Sequence, residues 1–294
     1  MITLRNDFLE VKILKLGVTF VSFKSLQDDI NIITAYKEHE NYKVNDPYLG
    51  SLIGPLAGRT KPGSYGLDLD INNPPNHLHG GKNGLNLCMF DVEAKEDEAI
   101  FTKLHQDVFY TITVALKDNQ VVLDLKATPQ KELPINLTNH MYFNLLGEND
   151  LKNHTIQLKA DNYSSISEDM LNTYDLRDVS NSVFDLRETK EVMDLINRTH
   201  PQFEITRHID HSFKASEVVL NAHHKTLKIK ATMPFMHLYF ANYFDEGFID
   251  EKGRKAKNHA SIAIEPQYLP NDQNMPRYDE THPYHETITY TLSV

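Results

Sequence analysis

The chain has 294 residues, of which 40% are hydrophobic and 24% are charged, with a formal net charge of −11 at pH 7. This length and composition are sufficient to bury a large core, which argues against an intrinsically disordered chain. The excess of acidic side chains repels a phosphate backbone, so we expect no nucleic-acid partner.

Most of the predicted elements are β-strands, because apolar and polar residues alternate along them. Residues 8–25, FLEVKILKLGVTFVSFKS, alternate on both sides of Gly17, as a hairpin does. Residues 99–129 contain several such strands, with the turn sequence Lys-Asp-Asn-Gln between two of them. The same alternation returns in residues 226–244 and 286–294.

Helical periodicity is scarce, and the best helical segment, residues 188–198 with the sequence ETKEVMDLINR, is short. Residues 161–190 are rich in Asp, Ser and Asn, which predicts a long crossing loop. Many strands at short intervals predict an all-β sandwich or barrel instead of alternating strand–helix units. We therefore expect one large β domain over residues 1–294.

Two glycine-rich polar clusters interrupt the strand pattern in the first third of the chain. In residues 54–60, GPLAGRT, the glycines permit tight turns and Arg59 offers a fixed fork of donors, although a solvated arginine in a surface turn explains this cluster equally well. In residues 76–84, NHLHGGKNG, His77 and His79 lie two apart on one face of a strand. Two histidines at this spacing could ligate zinc, but no cysteine pair accompanies them, so the pattern favours no metal.

Two further clusters place a titratable group within strand-like sequence. Residues 135–147, INLTNHMYFNLLG, put His140 between two apolar flanks, at a sheet face or at its mouth. In residues 263–272, AIEPQYLPND, Glu265 follows an apolar strand-like run. A carboxylate at that position is costly to bury unless it is paired or useful, although a structural hydrogen-bonding role remains open for both groups.

Together these residues predict acid–base chemistry. A histidine with a pKa near ~6.5 and a glutamate with a pKa near ~4.3 can act as acid and base at neutral pH after modest tuning. Arg59, His79 and Asp210, the last from RHIDHSF at residues 207–213, could hold hydroxyl groups. The sequence has no phosphate-binding loop, no dinucleotide fingerprint and no GxSxG elbow. Cofactor-free proton transfer on a small polyhydroxyl substrate remains.

These motifs resemble those of the aldose 1-epimerase, or galactose mutarotase, family. NLTNHMYFNLLG is similar to the family signature N-L-T-N-H-x-Y-F-N-L-x-G, and NHLHGG is similar to N-x-L-H-G-G. EPQYLPNDQN resembles E-T-Q-x-x-P-[ND]-x-x-N, HIDHSF resembles G-x-D-H-x-F, and DVSNSVFDLR resembles the loop that ends in D-[FL]-R. The matches follow the family's order along most of the chain.

The resemblance implies a large antiparallel β-supersandwich with an open sugar-binding cleft. It implies an isomerase that interconverts the α and β anomers of free hexoses such as galactose and glucose, without a cofactor or a metal. By this likeness His140 is the general acid that protonates the ring oxygen, and Glu265 is the general base that takes the proton from the C1 hydroxyl. The substrate-binding candidates are Arg59, His79, Asp210, Tyr142 and His237.

The sequence departs from the family pattern at four positions. Gly58 precedes the arginine where many members have asparagine, and Phe90 stands where a tryptophan is frequent. Pro266 replaces a threonine, and His237 stands where a glutamine is common. The proposed acid and base are retained, so we expect catalysis to persist with the sugar preference left open.

Three alternatives to a mutarotase remain at this point. A hexose-6-phosphate 1-epimerase needs a basic phosphate cradle, which Arg59 and Lys61 could begin. A non-catalytic carbohydrate-binding protein would not require both His140 and Glu265. A glycosidase would need two carboxylates across the scissile bond, and the motifs supply one of them.

The expected partner is a small-molecule aldose. Cys88 is the one cysteine, so no disulfide can form within the chain, which fits a reducing compartment. The first residues, MITLRNDFLE, contain no basic region followed by an apolar run, and no apolar stretch approaches the ~20 residues that a membrane helix needs. We expect a cytoplasmic location, no membrane association, and either a monomer or a homodimer.

Overall fold

Antiparallel pairing of alternating strands builds the architecture, which a computed structural model describes for residues 1–244 and 247–294. Within these residues the strands form six sheets, of nine, six, three, two, two and two strands. Every pairing between these strands is antiparallel, which confirms the all-β expectation.

The strands are numbered in chain order. The first half contains β1 (Ile2–Arg5), β2 (Leu9–Leu14), β3 (Thr19–Ser25), β4 (Leu52–Ile53), β5 (Arg59–Thr60), β6 (His77–Leu78), β7 (Asp91–Ala94), β8 (Glu98–His105), β9 (Val108–Lys117), β10 (Gln120–Pro129), β11 (Leu133–Pro134), β12 (Thr138–Asn139) and β13 (Tyr142–Phe143). The second half contains β14 (His154–Gln157), β15 (Asn162–Ile166), β16 (Asn172–Asp178), β17 (Lys190–Glu191), β18 (Asp210–Phe213), β19 (Glu217–Ala222), β20 (Lys225–Ala231), β21 (Phe235–Tyr239), β22 (Ile262–Gln267), β23 (Arg277–Tyr278) and β24 (Tyr284–Ser293).

Helices are short and few in the described residues. The α-helices are α1 (Val192–Ile196) and α2 (Pro201–Thr206). Single 3₁₀ turns span His39–Lys43, Ser64–Gly66, Gly81–Asn83 and Leu85–Leu87. None of the described helices has the length and apolarity needed to cross a membrane.

Two large sheets enclose the main core. The nine-stranded sheet has the order β17-β14-β19-β20-β24-β10-β9-β8-β7, and the six-stranded sheet has the order β13-β22-β21-β18-β15-β16. Apolar side chains from both sheets belong to one buried cluster, for example Ile112 and Tyr290 from the first and Phe143 and Ile264 from the second. The rings of Phe143 and Tyr290 lie 5.9 Å apart across this interface. The arrangement leaves the other face of the six-stranded sheet available for a site.

Local pattern predicted most strands correctly. The expected hairpin around Gly17 is the β2–β3 pair, and the Lys-Asp-Asn-Gln turn joins β9 to β10. The helix expected at 188–198 is confirmed in its centre as α1. The crossing loop expected at 161–190 is wrong, because β15 and β16 pair there as a hairpin at the sheet edge. Much of β16 is exposed, which explains why its sequence is polar.

Candidate active site

The six-stranded sheet carries two rows of side chains on the face opposite the core. Across neighbouring strands His237 pairs with both Glu265 and Ser212, and Tyr239 pairs with Asp210. Side chains two apart along a strand share a face, so both rows point the same way. The intervening side chains of Leu238 and Ile264 belong to the main core. Cross-strand register therefore brings together residues that are far apart in sequence.

His140 reaches this face from the short connection between β12 and β13. Its main-chain N–H donates to Ser51 O at 2.9 Å, and its carbonyl accepts from the Gly50 N–H at 3.0 Å. Asn139 Nδ2 donates to Gly50 O at 2.9 Å. Gly50 has a φ of 66°, and a Cβ there would lie 2.0 Å from Phe20 O, so glycine is required for this close approach. The backbone around His140 is fixed without using its side chain.

The side chains of His140 and Glu265 meet over the sheet. His140 Nε2 lies 3.3 Å from Glu265 Oε1, and both side chains are almost completely buried. In the described part of the structure His140 Nδ1 and Glu265 Oε2 have no hydrogen-bond partner. Buried polar atoms are rarely left unpaired, so the pair has hydrogen-bonding capacity that its protein surroundings do not use. The expected encounter of His140 with Glu265 is present.

Burial disfavours the charged form of both groups. It lowers the pKa of His140 to about 3, with a further contribution from the charge of His237. It raises the pKa of Glu265 to about 7, and the charge of His237 partly opposes this rise. Between these values the pair as a whole holds one proton, which lies mainly on Glu265; the form with the proton on His140 is the one in which Glu265 is a base and His140 an acid.

Asp210 lies beside this pair, in contact with two basic side chains. Its Oδ1 lies 2.8 Å from His237 Nε2, and its Oδ2 lies 3.5 Å from Arg59 Nη1. Burial alone would raise the pKa of Asp210, but the hydrogen bond from His237 and the charge of Arg59 hold it well below the usual range. Arg59 Nε also donates to Asn73 Oδ1 at 3.3 Å. Asp210 is therefore an ionised acceptor on the cleft face.

His79 presents a donor to the same space. Its Nδ1 accepts from the Gly58 N–H at 3.2 Å, and burial lowers its pKa well below the ordinary value, so the ring is neutral with its proton on Nε2. His79, His140 and Glu265 have ligand atoms within 4.8 Å of one another, the geometry of a possible metal site. A metal ion bound to His79 Nε2 would move the ring proton to Nδ1. A protonated Nδ1 could no longer accept the hydrogen bond from the Gly58 N–H. The tautomer therefore favours a hydrogen-bond donor over a metal ligand.

A cavity of about 510 Å³ opens over these residues. It is lined by all seven of the predicted site residues, namely Arg59, His79, His140, Tyr142, Asp210, His237 and Glu265. The Tyr142 ring packs 4.9 Å from the His140 ring, while its hydroxyl donates to Pro47 O at 2.9 Å. Its position in the wall is thus fixed by two contacts.

Sequence reasoning missed the aromatic part of the wall and misplaced one histidine. The unpredicted aromatic lining residues are Tyr36, Tyr48, Tyr239, Tyr243, Phe244 and Phe248. They come from two parts of the chain, residues 36–48 and 239–248, and neither part matches a motif named above. His77 does not join His79 in the cavity, because its Nδ1 lies 2.9 Å from Asp70 O, and the expectation that these histidines share one strand face is wrong. The positive φ of His79, 53°, turns the chain just after β6.

Comparisons with known proteins identify the family and the fold. A family model described as aldose 1-epimerase matches residues 1–294. The chain is 27% identical to galactose mutarotase from Pongo abelii over 94% of this chain and 87% of that protein, and 27% identical to aldose 1-epimerase from Escherichia coli (strain K12) over 95% and 89%. The solved structure of galactose 1-epimerase from Lactobacillus acidophilus NCFM superposes with a TM-score of 0.89 at 26% identity, covering 99% of this chain and 93% of that one. The expected galactose mutarotase-like fold is confirmed.

Proposed function

The chain belongs to the aldose 1-epimerase family, and we propose that its His140–Glu265 pair interconverts the α and β anomers of free hexoses such as galactose and glucose. The family match and the named relatives confirm the expectation of an isomerase acting on carbohydrates. The observation that carries the proposed role of the pair is the 3.3 Å contact between the two side chains in the cavity. The proposal treats residues 1–294 as one domain.

The reaction needs one proton transferred out of the sugar and one transferred in. Glu265, as general base, takes the proton of the C1 hydroxyl while His140, as general acid, gives a proton to the ring oxygen, and the bond between C1 and that oxygen breaks. Rotation about the C1–C2 bond presents the other face of the aldehyde. The two residues then exchange roles as the ring closes to the other anomer. Protons and electrons balance without an outside reagent.

Other lining groups orient the sugar in this proposal. Asp210 accepts hydrogen bonds from hydroxyl groups, while Arg59 and His79 Nε2 donate to hydroxyl oxygens. The Tyr142 ring packs beside His140 and limits where the substrate ring can lie. Donors fixed before the sugar binds cost no reorganisation when charge moves toward the ring oxygen.

The alternatives are less well supported. Among the lining residues that the structure describes, Arg59 is the one lysine or arginine, and it contacts Asp210 and Asn73 instead of forming a phosphate cradle. Lys61 is exposed outside this lining. A purely sugar-binding role would not need a histidine and a glutamate in direct contact in the cavity lining. A cytoplasmic location remains part of the proposal, supported by the single cysteine.

Polarimetry tests the proposed reaction directly. The optical rotation of freshly dissolved α-D-galactose or α-D-glucose should relax faster with the protein than without it, because the pair supplies both proton transfers. The measurement is made at low buffer concentration, since buffer ions catalyse the same reaction. Hexose 6-phosphates measured in parallel are expected to respond less. Failure to accelerate any free aldose would contradict the proposal.

The pH dependence follows from the proton count of the pair. We expect kcat/KM to be highest while the pair holds one proton and to decline above about pH 7, where Glu265 loses its proton while His140 is already neutral. At higher pH, kcat/KM should fall by about tenfold for each pH unit. Polarimetric rates, corrected at each pH for the reaction without protein, give the profile. A corrected kcat/KM that continues to rise through about pH 9 would rule out the one-proton pair.

A further inference from the structure

His237 lies next to the catalytic pair and contacts two other polar side chains. On β21 it lies between Ser212 of β18 and Glu265 of β22 in one cross-strand row. Its Nδ1 lies 3.0 Å from Ser212 Oγ, and its Nε2 lies 2.8 Å from Asp210 Oδ1. Both ring nitrogens therefore have protein partners, which leaves neither of them free for a sugar hydroxyl.

We propose that His237 is a positioning residue, an imidazolium that holds the Asp210 carboxylate for the sugar and places a fixed positive charge beside Glu265. This inference deepens the proposed function and rests on it for its effect on turnover. Its structural part, the charge state of the ring, stands independently.

The hydrogen-bond partners are compatible with a doubly protonated ring. A carboxylate is only an acceptor, so the hydrogen bond to Asp210 requires a proton on Nε2, while the Ser212 hydroxyl can accept from Nδ1. Burial alone would lower the pKa of His237. The bond to Asp210 and the charges of Asp210 and Glu265 outweigh burial and raise it.

Groups from other elements face this cation and limit its stabilisation. Arg59 of β5 opposes it with a like charge, but Arg59 contacts the second oxygen of the same Asp210 carboxylate. His79, His140 and His211 also lie near enough to interact, and all three have lowered pKa values, so they add no positive charge at neutral pH. Among these four histidines His237 alone has a raised pKa, which favours its charged form.

The charge has a direct consequence for Glu265. His237 lowers the pKa of that carboxyl, whereas burial and the nearby Asp210 raise it. Without the cation, Glu265 would hold its proton more tightly and the one-proton form of the catalytic pair would persist to higher pH. His237 thus lowers the upper pH limit of activity that the burial of Glu265 creates, while its hydrogen bond fixes Asp210.

Two substitutions separate the hydrogen bond from the charge. His237→Gln keeps an N–H donor within reach of Asp210 but removes the charge, whereas His237→Ala removes both. We expect the pH above which kcat/KM declines to be about one unit higher in both variants than in the parent. KM is expected to rise several-fold in His237→Ala and to stay near the parental value in His237→Gln, because the glutamine still holds Asp210.

A matched control lies on the opposite sheet. His285 of β24 makes the same kind of contact, with its Nε2 2.7 Å from Asp124 Oδ2, but it is exposed and lies outside the cavity. His285→Gln is therefore expected to leave both KM and the pH above which kcat/KM declines unchanged. If it shifts that pH as much as His237→Gln does, the effect is not specific to the site and the proposal is wrong.

Nitrogen-15 NMR of histidine-labelled full-length protein tests the charge state without any turnover. The His237 signals, assigned by their loss in His237→Gln, should show both ring nitrogens protonated at neutral pH. A neutral ring would overturn the proposal even if the mutarotase reaction is found. A protonated ring in a protein that accelerates no aldose would instead leave the charge state standing and remove the proposed function. If the enzyme is active and kcat/KM declines above the same pH in the parent and in both His237 variants, the proposal is also overturned.

Discussion

Glu265→Gln is expected to lower kcat/KM for free hexoses by about 10²- to 10⁴-fold, the usual contribution of a general base. Glutamine has nearly the same shape as glutamate but cannot take the proton of the C1 hydroxyl. It still can donate and accept hydrogen bonds in the cavity, so sugar binding should decline much less than turnover. Polarimetry gives the rate, and calorimetric titration with galactose gives the affinity. A variant that retains near-parental kcat/KM would show that Glu265 is not the base.

Thermal unfolding provides the control for this variant, with a defined sign. The pKa of Glu265 is raised in the folded protein, from an ordinary 4.5 to about 7, so the parent loses stability as pH rises between these values. The glutamine variant has no carboxylate to bury and escapes this loss. Its Tm should exceed the parental Tm above about pH 7, and the gap should close toward about pH 4.5. A variant with a lower Tm than the parent at alkaline pH would contradict the buried-carboxylate account.

Local sequence pattern predicted the strands but not their neighbours. Period-two alternation is a local property, so hairpins such as β2–β3 and β9–β10 follow from it directly. β24 lies between β10 and β20, and its pairing with β10 joins residues as far apart in sequence as Gln120 and Thr291. Such long-range pairing depends on which apolar faces cover each other in the folded chain. The sheet order therefore could not be predicted from the alternation.

For the candidate site, too, the sequence indicated individual residues but not their contacts. His140 and Glu265 were candidates because each titratable side chain interrupts an apolar run, and the cost of burying such a group makes it conspicuous, whereas their roles as acid and base came from the family resemblance. Their approach to 3.3 Å depends on the β13-β22-β21 register, which the pattern does not contain. The contacts of His237 with Ser212 and Asp210 could not be predicted either, because the sequence does not show that β18 pairs with β21.

The asparagines of residues 135–147 show how structural and functional polar residues resemble each other in sequence. Asn139 and Asn144 both look as functional as His140, yet their amides bind backbone groups. Asn139 donates to Gly50 O, and Asn144 donates to Ala260 O at 2.7 Å. A short polar side chain that satisfies a loop and one that meets a substrate have the same appearance in sequence. The three-dimensional partners alone distinguish them.

His140→Gln is expected to lower kcat/KM by about 10²- to 10⁴-fold, because the ring oxygen then lacks its proton donor. The glutamine side chain can reach toward Glu265 but does not titrate in the accessible range. The fold should survive, since the backbone of His140 is held by Ser51 O and the Gly50 N–H and not by the ring. Polarimetry measures the loss, and an unchanged far-ultraviolet circular dichroism spectrum checks the strands. Full activity in this variant would remove His140 from the reaction.

The double variant His140→Gln with Glu265→Gln tests whether the two residues act as one unit. Ring opening needs both proton transfers, so removal of either partner should already forfeit most of the advantage of the other. We expect the double variant to lose about as much kcat/KM as the worse single variant, and much less than the product of the two losses. Polarimetry at a common pH on all four proteins completes this cycle. Losses that multiply would mean that each residue acts in a separate step, which is incompatible with a pair in direct contact that shares one proton.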